Sequence, residues 1–364
     1  MGEKKVLWLE LFYDLIFVAA VAKATHLLLH VEEGIVPAEY LFKFILIFIP
    51  IWWAWVGQTL FINRYGEDCF SQRIFMIIQM VFVVLMTASL SSDFDPYYVP
   101  FLIGYAGIRF VTSLQYLWVL KRKSDSKEPA AKYLGFGFLI GIAISLSSVF
   151  FDPPLRYAVL YLGIFADLAV PVLGRRYLSK APANSPHLLE RFGLFTIILF
   201  GECIVSLIAI LHLEKGDWGA IFFTLVSLIL IAAMWWQYFD NLEKKVDKEK
   251  KTTGQRIIYG HLFIFMSLSA IAAAIQLAYL HKVDHHFLTI LSFGAAFVYF
   301  LSTALVFHRF RFVHHRLRVF HFGLLAGILV LFMILDFVLP VPSVVIFVQL
   351  AFFFILYAKI APRG

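Results

Sequence analysis

The sequence predicts an all-α fold: a polytopic transmembrane helical bundle of about twelve spans, arranged as two six-helix parallel repeats. Three observations carry this expectation. Of 364 residues, 61% are hydrophobic and only 15% charged, whereas a soluble domain holds about half apolar and a quarter charged residues. The apolar residues fall into twelve runs, each long enough as a helix to cross a hydrocarbon core of roughly 30 Å, with tilt or local thinning for the shortest. The basic residues then alternate from loop to loop, and with the N-terminus inside, 25 of the 31 Lys and Arg lie on the cytoplasmic side.

The runs are justified in order. The first, 7–29, opens Leu9-Glu10-Leu11-Phe12-Tyr13-Asp14. Its acids make it a poor secretory signal and no small-residue cleavage site follows, so it is expected to remain as a span. An acidic outer loop with Glu32 and Glu33 leads to run 40–62, and an inner loop with Arg64 and Arg73 leads to run 74–90. Asp93 and Asp95 mark the next outer loop before run 99–120, and Lys121-Arg122-Lys123, Lys127 and Lys132 return the chain inside before run 133–151. Arg156 opens run 155–173, and Arg175, Arg176, Lys180 and Arg191 follow it inside. The second half continues with runs 189–211, 219–239, 257–280, 287–307, 317–339 and 343–360. Lys215 and Lys282 are outside; Lys244 through Arg256, Arg309 to Arg318, Lys359 and Arg363 are inside. Both termini are therefore expected in the cytoplasm, in a cytoplasmic (inner) membrane.

Four landmarks recur in order across the halves. Glu10-x-Phe12 answers Glu190-x-Phe192, Trp52-Trp53 answers Trp235-Trp236, Gln72-Arg73 answers Gln255-Arg256, and Gly137 to Ile142 answers Gly323 to Ile328. Shared order at a near-constant separation points to duplication. The expected division is a first repeat over 1–174, a cytoplasmic linker over 175–188 and a second repeat over 189–364. Pro182, Asn184, Ser185 and Pro186 give the linker its composition. An even number of spans per half makes the repeats parallel.

Ionisable residues inside apolar runs cost a few kcal/mol each even on lenient insertion scales, so they mark where function sits. Glu10 and Asp14, four apart, share a helix face. They suit a proton relay or cation site; alternatively Glu10 stays at the headgroups and Asp14 pairs with a neighbouring base. Arg109 lies midway along its run, with Tyr105, Thr112, Ser113 and Tyr116 on its face. Such a stripe can bind an anionic group or hold a carboxylate. Asp167 is comparably deep and is followed by Pro171, which frees a backbone carbonyl. Glu202 sits near mid-membrane with Ser206 on its face. Asp14, Arg109, Asp167 and Glu202 are the candidate substrate or ion site. Lys23 and His26 lie on nearly the opposite face of the first run, where Lys23 can snorkel toward the headgroups.

Other features point away from particular chemistries. Cys69 and Cys203 offer no disulfide or CxxC framework. The His281-Lys-Val-Asp284-His285-His286 loop has no metal-ligand spacing as specific as HExxH, and no metal site is assigned to it. No P-loop, nucleotide fingerprint, GxSxG elbow or zinc-protease motif occurs, and no cofactor is expected. The net charge of +7 is spread over alternate loops, unlike a nucleic-acid stripe. Arg309, Arg311, Arg316 and Arg318 at the cytoplasmic face instead suit contact with anionic lipids of the bilayer.

Glu10-Leu11-Phe12-Tyr13-Asp14-Leu15-Ile16-Phe17-Val18 resembles the ELFFDLVFV opening of the bacterial low-temperature-requirement protein A family. Thr25-His26 is similar to that family's Ser/Thr-His pair, Glu190 through Glu202 to its ERxxLFxIIxLGE stretch, and Trp235 through Asp240 to its WWxYFD. The sequence departs at Tyr13, at Phe200 and at Lys23. The resemblance implies weight for Glu10, Asp14, His26, Glu190, Arg191 and Glu202, and it names no reaction. Three functions remain open: a secondary transporter or ion- or proton-conducting protein for an unspecified small solute or ion; a membrane enzyme acting on lipid or isoprenoid substrates; and a cold-stress sensor or scaffold. The transporter leads, the enzyme is the runner-up and the sensor or scaffold the third possibility, so an enzyme is less favoured than a non-enzyme.

Overall fold

The computed structural model describes residues 4–91, 93–122, 128–211, 217–250 and 252–360. Lys123, Lys127, Lys215, Lys251 and Arg363 of the charge pattern lie outside the described residues, as do the side chains of Arg122, Ala209 and His314. Thirteen helices are described: α1 Trp8–Thr25, α2 Ala38–Tyr65, α3 Phe70–Ala88, α4 Tyr98–Arg122, α5 Glu128–Ser147, α6 Leu155–Leu173, α7 Arg175–Leu178, α8 Ser185–Ile210, α9 Trp218–Asp240, α10 Gln255–Tyr279, α11 His285–His308, α12 Val319–Val338 and α13 Ser343–Lys359. A short 3₁₀ turn, His26–Leu29, continues α1. Among the described residues the only strand-like pairings are isolated bridges.

Among the described residues, ten helices are long and apolar enough to cross a membrane. The α4 helix is not one of them, because Arg109, Thr112, Ser113 and Gln115 dilute its apolar character, and α13 falls short in length at 17 residues. The chain is a multi-pass, all-helical membrane protein.

One difference from the expected layout has a local cause. Helix α8 begins at Ser185, inside the stretch read as linker, and α7 occupies 175–178. The Asn184 side chain accepts the backbone N–H of His187 at 3.2 Å, an N-cap, and Ser185 and Pro186 fill the first turn. Residues read as linker punctuation are thus a helix start, and they place His187 and Arg191 on one helix.

The structure divides into two compact units, each discontinuous in sequence: Met1–Ala24, Leu46–Arg191 and Glu249–Ile258 form the first; Thr25–Ile45, Phe192–Lys248 and Tyr259–Gly364 the second. Within the first, α3, α4, α5 and α6 pack in chain order. The α5–α6 crossing is close because it is built from small residues. A Cβ on Gly163 would stand 2.5 Å from the Ser145 nitrogen, and one on Gly141 2.8 Å from Asp167 Cβ. Pro50 sits inside α2, where it lacks the N–H that Leu46 O needs; the Tyr161 hydroxyl donates to that carbonyl instead, at 2.8 Å.

Within the second unit α9 packs on α13, and α11, α12 and α13 pack on one another. A π-helical turn, Asn241–Lys245, ends α9. Lys245 donates to Ala358 O and pairs with Asp240 at 2.7 Å. Arg311, one of four arginines that the sequence places against lipid headgroups, is buried and donates to Asn241 Oδ1. Burial pulls its guanidinium below the ordinary arginine range, opposed by the nearby Tyr357.

The paired sequence landmarks stand in different surroundings. Trp52 and Trp53 are buried while Trp235 and Trp236 are exposed; Gly141 is at a tight crossing while Gly323 and Gly327 have nothing within 4 Å of a built Cβ. Glu10 is buried and Glu190 exposed.

Candidate functional site

Helix α1 turns Glu10 and Asp14 to the same buried face, and both meet α8. Arg191 clasps Asp14 in a fork, Nη1 to Oδ2 at 2.9 Å and Nη2 to Oδ1 at 2.8 Å. The indole N–H of Trp55 on α2 adds a third donor to Oδ1 at 2.7 Å. Glu10 Oε2 stands 3.2 Å from Arg191 Nε and 3.5 Å from His187 Nε2, and Oε1 accepts Leu7 N–H at 3.2 Å. All four side chains, Glu10, Asp14, His187 and Arg191, have no solvent exposure. Glu10 is therefore a buried charge and not a surface one.

The hydrogen bonds fix the His187 tautomer. Asn63 Oδ1 accepts a backbone N–H from Asn184 at 2.9 Å, so its nitrogen is Nδ2, which donates to Asn184 O at 2.9 Å and to His187 Nδ1 at 3.1 Å. An imidazole nitrogen that accepts carries no proton, so the proton is on Nε2, toward Glu10. Two carboxylates then face one guanidinium and a neutral imidazole. With both ionised, the cluster carries one negative charge more than Arg191 balances.

A second pair lies in the same unit. Arg109 Nε donates to Asp167 Oδ2 at 2.6 Å, and the Trp53 indole donates to the same oxygen at 3.0 Å. The guanidinium stacks 4.4 Å from the Phe138 ring centroid and 5.3 Å from that of Trp53. Gly57 makes this possible, since a Cβ there would be 1.9 Å from Arg109 Nη1. Tyr105 and Tyr116 are buried beside this group, as the helical face of Arg109 predicts.

Buried amides lie in the same unit, on α2, α3 and α4. Tyr13 donates to Gln79 Oε1 at 2.9 Å, and Gln79 Nε2 reaches Gln58 Oε1 at 2.9 Å and Thr112 Oγ1 at 3.0 Å. Several buried donors of this interior have no hydrogen-bond partner: Nη1 and Nη2 of Arg109, and Nε2 of Gln58 and Gln115. Native interiors leave few such groups, and each calls for an explanation.

The remaining candidates are elsewhere. Glu202 is half-buried in the second unit, within reach of Ser206 and facing exposed His26. Glu190 is exposed on α8. Lys23 caps α3, donating to Thr87 O and Ala88 O at 3.1 Å each. The structure thus joins Asp14, Glu10 and Arg191 in one group and Arg109, Asp167 and Tyr105 in another. His187, Asn63, Trp53, Trp55, Gly57 and Gln79 were not singled out as site residues. The N-cap at Asn184 is the sequence signal for His187, and Trp53 stands in the sequence only as a repeat landmark.

The family of bacterial low temperature requirement A protein (LtrA) matches residues 5–357, nearly the whole chain. The chain belongs to this family. Both charge groups of this LtrA-family protein lie within the matched region. A relative, "Uncharacterized protein RA0937" of Rhizobium meliloti (strain 1021), is 26% identical over 321 residues, covering 81% of this chain and 75% of its own. No solved structure matches.

Proposed function

We propose that this LtrA-family protein is a secondary transporter or an ion- or proton-conducting protein of the cytoplasmic membrane, with its polar site inside the first unit. The observation that carries the reading is the set of buried donors without partners on Arg109, Gln58 and Gln115. A purely structural ion pair is favoured when its remaining donors are satisfied; here one aromatic-walled guanidinium keeps two nitrogens free for a polar or anionic group. Asp14 and Glu10 supply the excess negative charge that a proton or cation would balance. Glu202, half-buried beside His26 in the second unit, is a separate titratable candidate.

The finer topology belongs to the same reading. Each of the twelve apolar runs contains one helix, the shorter α13 included, which supports twelve spans; cytoplasmic termini and inner loops against anionic lipids rest on the charge pattern. The division into parallel repeats over 1–174 and 189–364, joined through 175–188, rests on the order of the sequence landmarks alone.

A scaffold or cold-stress sensor is the second reading, favoured by the two-bond fork of Arg191 on Asp14. The lipid-enzyme reading has no comparable observation, since both first-helix carboxylates face Arg191. To separate the first two, reconstituted protein on a solid-supported membrane is challenged with inorganic ions, small organic acids and pH jumps. Transport predicts a current in the wild type that Gln58→Leu with Gln115→Leu diminishes while the fold is kept. A correctly folded wild type that gives no current with any of these leaves the scaffold reading.

A further inference from the structure

A buried acid at the other end of the sequence has no counter-charge on it. Asp336 continues the only buried stripe of α12, in line with Leu325 and Leu329, at the end that the charge pattern places outside. It has no solvent exposure. The helices packed on α12 are α11 and α13. From α13, Gln349 Nε2 donates to Asp336 Oδ1 at 2.9 Å. From α11, His285 Nε2 contacts the backbone carbonyl of Asp336 at 2.7 Å. A carbonyl can only accept, so the His285 proton is on Nε2. That carbonyl is open because its helical partner four residues on is Pro340, which has no N–H. His286 packs on the Phe337 ring, and Asp284 is exposed. No lysine or arginine is paired with Asp336 among the described residues.

Two atoms of this pair remain without a partner: Asp336 Oδ2 and Gln349 Oε1. Both are acceptors if the carboxyl is ionised. Interchanging the amide nitrogen and oxygen sets Oε1 against Oδ1, two acceptors 2.9 Å apart, and again calls for one proton between acid and amide. One proton on Oδ2 supplies the donor that both lack, and it closes a ring of two hydrogen bonds between a carboxylic acid and a primary amide. We propose that Asp336 and Gln349 form a proton-binding site, a neutral acid–amide pair held at the end of α12 by His285. The site is independent of the transport reading and stands or falls by itself.

Infrared difference spectroscopy on the purified full chain, wild type against Asp336→Asn, reads the proton directly. The expected result at neutral pH is a carboxylic-acid C=O band that shifts in heavy water and is lost in the variant. Asparagine can close the same two-bond ring with Gln349, so the variant keeps the fold and its thermal midpoint. Gln349→Leu is expected to keep the acid band and move it to higher wavenumber, because the C=O loses its hydrogen bond. A difference spectrum showing loss of carboxylate bands instead, with or without a response to sodium, overturns the proposal.

Discussion

Arg109 and Asp167 are held in place by what surrounds them as much as by each other. The Arg109 guanidinium lies over two aromatic rings and against a helix with no side chain at residue 57. Gly57→Ala forces a methyl into the Nη1 position, and overpacking of this kind costs about 1–3 kcal/mol; the thermal midpoint in detergent should fall accordingly. Asp167→Asn leaves Arg109 charged and unbalanced, at a cost of about 3–5 kcal/mol, whereas Arg109→Met with Asp167→Leu removes both charges and should recover most of it. The charges were legible in the sequence because each interrupts an apolar run. Their partners were less so: Trp55 reads as one more apolar residue until its N–H is aimed at Asp14. Asp336 escaped notice because it lies within a few residues of a run's end, where acids are ordinary.

At the scale of the helices, two local devices set the site. Pro50 breaks the α2 ladder and Tyr161 repairs it, so Tyr161→Phe should cost about 1 kcal/mol. In a Pro50→Ala background residue 50 can donate to Leu46 O, and the same substitution should then cost close to nothing; the double-mutant cycle measured by thermal unfolding checks this. The N-cap of α8 carries Arg191 and His187 to the first helix. Asn184→Ala should weaken that start by about 1 kcal/mol, read as faster amide hydrogen exchange over 185–191 than in the wild type. Helix extents followed from apolar runs of membrane length, but the start of α8 did not, because the Asn-Ser-Pro that caps it is also loop composition. The short-range cap outweighs the turn reading only when the residues beyond it can complete a helix.

For the whole molecule, the composition alone makes a multi-pass helical protein, and the family match over residues 5–357 agrees with the motifs of the first and eighth helices. The duplication is less legible, since Glu10, Trp52, Trp53 and Gly141 are buried or tightly packed while Glu190, Trp235, Trp236, Gly323 and Gly327 are open. Buried polar groups at membrane depth are the main departure from an apolar bundle, and the account rests on their being functional. Protein reconstituted into vesicles loaded with a pH-sensitive dye, under potassium diffusion potentials of either sign, tests that most directly. The account predicts proton entry several times faster than in protein-free vesicles, falling to the protein-free rate in Asp14→Asn with Arg191→Gln, a double variant that leaves no unpaired arginine. Wild-type entry equal to that of protein-free vesicles at both signs would contradict it.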